Sequence, residues 1–177
     1  MTKVFAVCML ILVLVFAGCK KKASHSPDET DQSEQELEVI ESANGPDYLE
    51  KVIKIWSQGN KNVAVDELLQ INWQKKPYFS DESVFNLIEQ EYVLLSSSEQ
   101  ADHMNTLTKG LKPLCFYVIE LGREAANIGN IEKAKLYFQA VYNCGEFLTE
   151  NPNGVKIIQL IGKALMKKSS QELNNLK

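Results

Sequence analysis

From Asp47 to the end, apolar residues recur at the spacing of an α-helix, and no segment settles into the strict alternation of a half-buried strand. A chain patterned this way buries stripes of helices against one another. Tyr48, Val52, Ile55 and Trp56 form a first stripe, and Gly59-Asn60 interrupts it. Val63, Ala64, Leu68, Leu69 and Ile71 form a second. Two helices of about 11 residues joined by a short glycine turn predict an αα-hairpin.

The same reading extends along the chain. Residues 73–79 contain Pro77 and three aromatics, and are expected to loop back onto the core. Ser80 or Asp81 would cap a short helix, and residues 88–95 would form another. Ser97 with Gln100 is expected to form a capping box. The helix it opens should end or kink at Gly110 and Pro113. A helix over 112–128, a Gly129-Asn130 turn and a long helix over 131–150 follow. Asn151-Pro152-Asn153-Gly154 should stop that helix. The last amphipathic helix, 155–168, sets Ile157, Ile158, Ile161 and Leu165 against Lys156, Lys163 and Lys167. The expected fold class is all-α, a bundle of antiparallel helical hairpins over 47–170 with a C-terminal tail over 171–177.

Charge divides the chain differently. Between Lys22 and Lys51 there is no Lys or Arg, and there are nine acids. From Lys51 onward 15 basic residues meet 14 acidic ones, a net of +1. The helical part therefore lacks the basic excess of a nucleic-acid binder. Residues 23–46 carry few apolar groups and cannot bury enough surface to offset their ordering entropy. With the flanking residues they form the expected acidic tether, 19–46, a self-repelling segment.

The N-terminus predicts an address. Residues 4–18 hold no charge, and Lys3 alone precedes them. As a helix of ~1.5 Å per residue the run is about 22 Å long. A hydrocarbon core is about 30 Å thick, so the run suits the apolar centre of a signal peptide over 1–18. Its end, Phe16-Ala17-Gly18-Cys19, resembles the lipobox of bacterial lipoproteins, with Phe16 where that family usually has Leu. The resemblance implies cleavage after Gly18, a thioether-linked lipid on Cys19 and anchorage to a bacterial envelope membrane. Lys20-Lys21-Lys22 would then lie at the membrane surface, where each lysine adds about 1 kcal/mol of attraction to anionic lipid. An uncut signal anchor and a non-lipoprotein signal are the alternatives.

Residues 115–148 resemble one tetratricopeptide repeat (TPR), a helix-turn-helix unit of roughly 34 residues. With Cys115 as the first position, Leu121, Gly122, Gly129, Ala134 and Phe138 fall on the pattern. Val118 and Glu146 depart from it, standing where Trp and Pro are usual. Residues 45–78 resemble the repeat through Tyr48, Gly59, Asn60, Ala64 and Leu68. The intervening stretch does not fit, so the resemblance implies a TPR-like bundle and not a regular superhelix. It also implies a partner groove on the first helix, at Phe116, Ile119, Arg123, Ala126 and Asn127. Ile119 and Arg123 occupy the two places of the family's carboxylate clamp, so that clamp is absent. Residues 159–165 resemble a segment of an uncharacterised group of bacterial lipoproteins, a likeness that carries no activity.

Catalytic chemistry finds little support. The two histidines are His25 in the tether and His103, whose neighbour Asp102 would not share its helical face. The spacing of three or four metal ligands, a phosphate loop and a nucleophile elbow are all missing. No catalytic residue, metal or cofactor is expected. Cys115 and Cys144 are the thiols left once Cys8 is removed and Cys19 is lipidated. They lie equidistant from the Gly129-Asn130 turn, hence at one level of an antiparallel hairpin. Two readings stay open: a disulfide in an oxidising compartment, or two small buried apolar residues. The expected role is a membrane-anchored protein-interaction or scaffold module with a protein partner. The alternative is a small envelope enzyme or enzyme accessory.

Overall fold

The computed structural model describes residues 47–74, Phe79 and residues 83–176. The expected signal peptide, Cys19, the tether, Tyr78 and the Ser80 or Asp81 cap lie outside the described residues. Among the described residues seven α-helices run α1 Tyr48–Ser57, α2 Lys61–Gln70, α3 Glu89–Tyr92, α4 Ser97–Asn105, α5 Lys112–Asn127, α6 Ile131–Thr149 and α7 Lys156–Asn175. A π-helical segment, Thr106–Leu111, joins α4 to α5. No strand occurs among the described residues, only an isolated antiparallel bridge between Ile88 and Gly154. The fold class is all-α.

The first two helices form a hairpin whose buried residues are Leu49, Val52 and Ile53 on α1, and Ala64, Val65 and Leu68 on α2. The buried stripe on α1 is rotated by about one residue from the expected one: Tyr48, Ile55 and Trp56 pack only at its edge. Val63 likewise points to solvent. Amphipathic residues with a polar tip, such as Tyr48 and Trp56, favour a half-buried border. Tyr48 donates its hydroxyl to Glu67 across the hairpin.

The α4 cap sits one residue earlier than expected. Ser96, not Ser97, accepts from the Glu99 backbone N–H at 3.3 Å, and the Glu99 carboxylate accepts from the Ser96 N–H at 2.8 Å. A carboxylate at the third helical position closes the box better than the amide of Gln100, because the bond is charge-assisted. These bonds, the Ser96 hydroxyl first, hold the Glu99 carboxyl below its ordinary range.

Gly110 and Pro113 do not end the helix. Pro113 has no N–H to give the carbonyl of Lys109, and its ring would crowd that carbonyl in an α-helix. The chain widens instead into a π segment, where the Lys112 N–H reaches back five residues to the Leu107 carbonyl. Gly110 there lies against the Ile53 side chain, which leaves no room for a Cβ.

The pair α5 and α6 is the centre of the molecule, and α2 and α7 both pack on it. Cys115 faces Cys144 and Gly122 faces Phe138, so the two helices run in opposite directions. The Phe138 ring, 1% exposed, fills the space that a side chain at Gly122 would occupy. Helices α6 and α7 meet even more closely. A Cβ on Gly145 would come to 2.7 Å of the Gly162 carbonyl oxygen, and one on Gly162 within 2.6 Å of the Gly145 carbonyl oxygen. Two glycines facing each other let these backbones touch. Helix α7 also runs past Lys168 to Asn175, and Leu173 and Leu176 pack on the core. Residues 171–175 of the expected C-terminal tail are thus helix.

Trp73 and Phe79 do fold back, on Phe147 of α6, with ring centroids 5.8 and 5.2 Å away. Residues 83–86 form turns, not a helix, and residues 88–95 contain one helical turn, α3.

Candidate functional site

The expected groove residues part company in the structure. Phe116 is 38% exposed, Ile119 is wholly buried in the core, Arg123 and Ala126 are half-buried, and Asn127 is exposed. Ile119 is unavailable because α2, α6 and α7 all pack on α5. Arg123 is also engaged. Its Nε donates to Glu172 of α7 at 3.1 Å, and its Nη1 to Glu120 at 2.6 Å. Lys168 approaches the same Glu172 oxygen at 3.5 Å. The Arg123 hydrogen bond holds the Glu172 carboxyl below its usual range against the opposing effect of burial. The same bond raises the Arg123 pKa. This network closes the Arg123 end of the expected groove with the last turns of α7.

What stays open is the other end. Phe116 and Lys112 of α5, with Leu160, Ile161, Ala164 and Leu165 of α7, line a cavity of about 280 Å³. The lining is apolar apart from Lys112, whose Nζ stands 6.0 Å from the centre of the Phe116 ring. Leu160 on its rim is 60% exposed. Of the expected groove residues only Phe116 lines this cavity, and Leu160, which the helical wheel of α7 sets outside the Ile157–Ile161 stripe, was not expected in a site. The signal in the sequence was a lone leucine between Lys156 and Lys163 on the lysine side of the helix, which marks an exposed apolar residue but not what it lines.

Two further cavities among the described residues are larger than this one. One of about 310 Å³ lies between Phe79, Phe85, Phe147, Val155 and Ile158, with Asn86 and Gln159 at its edge. Both amides are already hydrogen-bonded to backbone carbonyls. The other, about 710 Å³ and broad, lies beside the π segment and gathers Glu50, Lys54, Ser57, His103, Asn105 and Lys109. Glu50 accepts from the Ser83 hydroxyl there. Among the described residues no group of three or more His, Cys, Asp or Glu is placed to hold a metal ion. No helix among them is long and apolar enough to cross a membrane.

Cys115 and Cys144 meet at one level of the α5–α6 hairpin, with their Sγ atoms 4.0 Å apart as free, fully buried thiols. The contact with Cys115, reinforced by burial, pushes the Cys144 thiol well above its ordinary pKa. A neutral thiol with no solvent access is a poor nucleophile.

The molecule is therefore an all-α protein with a half-open, lysine-edged apolar groove between two of its helices. No protein-family model, curated protein or solved structure matches the chain.

Proposed function

We propose that this chain is a lipoprotein, anchored to a bacterial envelope membrane through Cys19, whose helical domain acts as a protein-interaction or scaffold module. The observation that carries the interaction role is the groove between α5 and α7, where Phe116 and Leu160 keep large apolar surfaces in reach of solvent. Grouped apolar exposure of this kind marks a contact surface, whereas scattered single residues need no explanation. The address rests on the uncharged run before Cys19 and its lipobox-like end.

The TPR-like reading of α5 and α6 belongs to the same proposal. It is supported by the positive φ of Gly129 at the turn, the burial of Ala134 and the seating of Phe138 on Gly122. A second reading, a protein handling a small anionic ligand or substrate, is favoured by one observation: Lys54, His103 and Lys109 share the cavity beside the π segment.

Two measurements test the main reading. Labelled palmitate should enter the wild-type protein and not Cys19→Ser; equal labelling of both removes the lipid anchor. Crosslinking in membranes should capture a stoichiometric protein partner, and Phe116→Ala with Leu160→Ala should lose it. Capture unchanged by both substitutions would place the contact elsewhere.

A further inference from the structure

We infer that the α5–α7 groove is built for an acidic amphipathic helix presented by a protein partner. This rests on the interaction reading above and adds the chemistry of the partner. The floor of the groove is Leu165 with Ile161 half-buried beside it, and the exposed Phe116 and Leu160 form its walls. Leu165 is 1% exposed, so the floor lies below the surface. A recessed row of apolar groups between two helices accepts side chains that project at helical spacing from a third.

Charge sets the sign of that partner. Lys112 lines the groove from α5. On α7, Leu160, Lys163, Ala164 and Lys167 follow one another at the spacing that places side chains on a common face. Lys163 and Lys167 are exposed and form no ion pair among the described residues. Glu120, one turn along α5 from Phe116, is already held by Arg123. The rim therefore carries lysines on both sides, no carboxylate lines the groove, and Glu120 is engaged. A helix carrying Glu or Asp beside its apolar stripe would pair with these lysines, while one carrying Lys would be repelled. Such rim charges act mainly on specificity and association rate. An anionic membrane shares the charge but not the shape, because a lipid surface reaches the Leu160 wall and not the recessed floor.

The test uses the full chain in nanodiscs of neutral phosphatidylcholine and fluorescence anisotropy of labelled peptides about four helical turns long. One peptide carries Leu at helical spacing with Glu elsewhere; its counterpart replaces every Glu by Lys. The Glu peptide should bind, and binding should weaken with salt. Leu160→Glu, and separately Lys112→Glu with Lys163→Glu and Lys167→Glu, should each weaken it at least about tenfold. All four positions are exposed, and unchanged circular dichroism would show that the variants fold. Equal binding of the Lys peptide, binding unaffected by the variants, or no binding of the Glu peptide overturns the inference. So does sedimentation with phosphatidylglycerol vesicles that the lysine variants abolish while the peptide fails to bind, which assigns the surface to lipid. A crosslinked partner that survives Leu160→Glu would leave the interaction reading standing and remove this one alone.

Discussion

The molecule contains two hairpins with the same turn and different reach. In the first, Gly59 at φ 88° is followed by Asn60; in the second, Gly129 at φ 80° is followed by Asn130. Their backbone bonds correspond one for one. Gly59 N–H reaches the Trp56 carbonyl and Asn60 N–H that of Ile55, as Gly129 reaches Ala126 and Asn130 reaches Ala125. Yet α1 and α2 have 10 residues each, whereas α5 has 16 and α6 has 19. The turn is a local device, set by glycine's access to positive φ. Length comes from the partners a hairpin finds. The second is packed by α2 on one flank and α7 on another, with a ring seated on a glycine between its helices. The first ends where its apolar stripe ends.

The largest expected effect tests whether interlocking explains that difference. Phe138→Ala leaves a cavity above Gly122 and should cost about 3–5 kcal/mol in urea denaturation. A loss below about 1 kcal/mol would mean that the ring is not what holds the longer hairpin. Gly162→Ala should come next, at about 3 kcal/mol, because its methyl would meet the Gly145 carbonyl oxygen and not a side chain that can turn aside. No cost, or the gain that alanine brings at an exposed helix glycine, would refute the backbone contact of α6 and α7.

The turns themselves offer a finer comparison. Gly59→Ala and Gly129→Ala both force alanine into the left-handed region with open space around it, so each should cost about 1 kcal/mol, and the two costs should agree. Asn130→Ala should cost about 1 kcal/mol, because its side chain accepts from the Lys133 N–H at 3.2 Å. No such cap is made by Asn60, and Asn60→Ala should be within a few tenths. Equal losses at the two asparagines would erase the distinction.

The smallest effect is a pH dependence. The Glu172 carboxyl is lowered by Arg123, so the folded chain binds fewer protons than the unfolded one in mildly acidic solution. The stabilisation is present above the ordinary glutamate pKa of about 4.3 and is lost as pH falls through the lowered folded value. Because the pair is partly exposed, it is worth under about 1 kcal/mol. Thermal melts should show Glu172→Gln converging on wild type at low pH; a constant gap across that range would exclude this linkage.

The turns and the limits of α5 and α6 were legible in the sequence to within a residue, since glycine, asparagine and apolar periodicity act locally. Elements that depend on distant partners were not. A glycine within a helix ordinarily weakens it, and only the facing Gly145 reveals the use of Gly162. Gln171, Glu172, Asn174 and Asn175 look like a polar tail, but Leu173 and the Arg123–Glu172 bond keep that turn on the protein. Ile119 was assigned to a groove by the spacing of a repeat, and the neighbours of α5 bury it. Phe116 was expected in a repeat-type groove; it lines instead a cavity with Leu160, a companion that only the placement of α7 supplies. The thiol pair was legible as a pair at one level, because equal distance from a turn is a property of the hairpin alone.

One small contact carries a dynamic consequence. Glu89 donates its N–H to the Asn153 carbonyl at 3.0 Å, and its carboxylate accepts from the Lys156 N–H at 2.8 Å. A residue from the middle of the chain thereby closes the first turn of the last helix. If α7 opens, those bonds break together with the Ile88–Gly154 bridge, so α7 and residues 88–92 belong to one cooperative unit of native-state opening. Their backbone amides should exchange hydrogen for deuterium with one common opening free energy, although Glu89 and Lys156 are 67 positions apart in the chain.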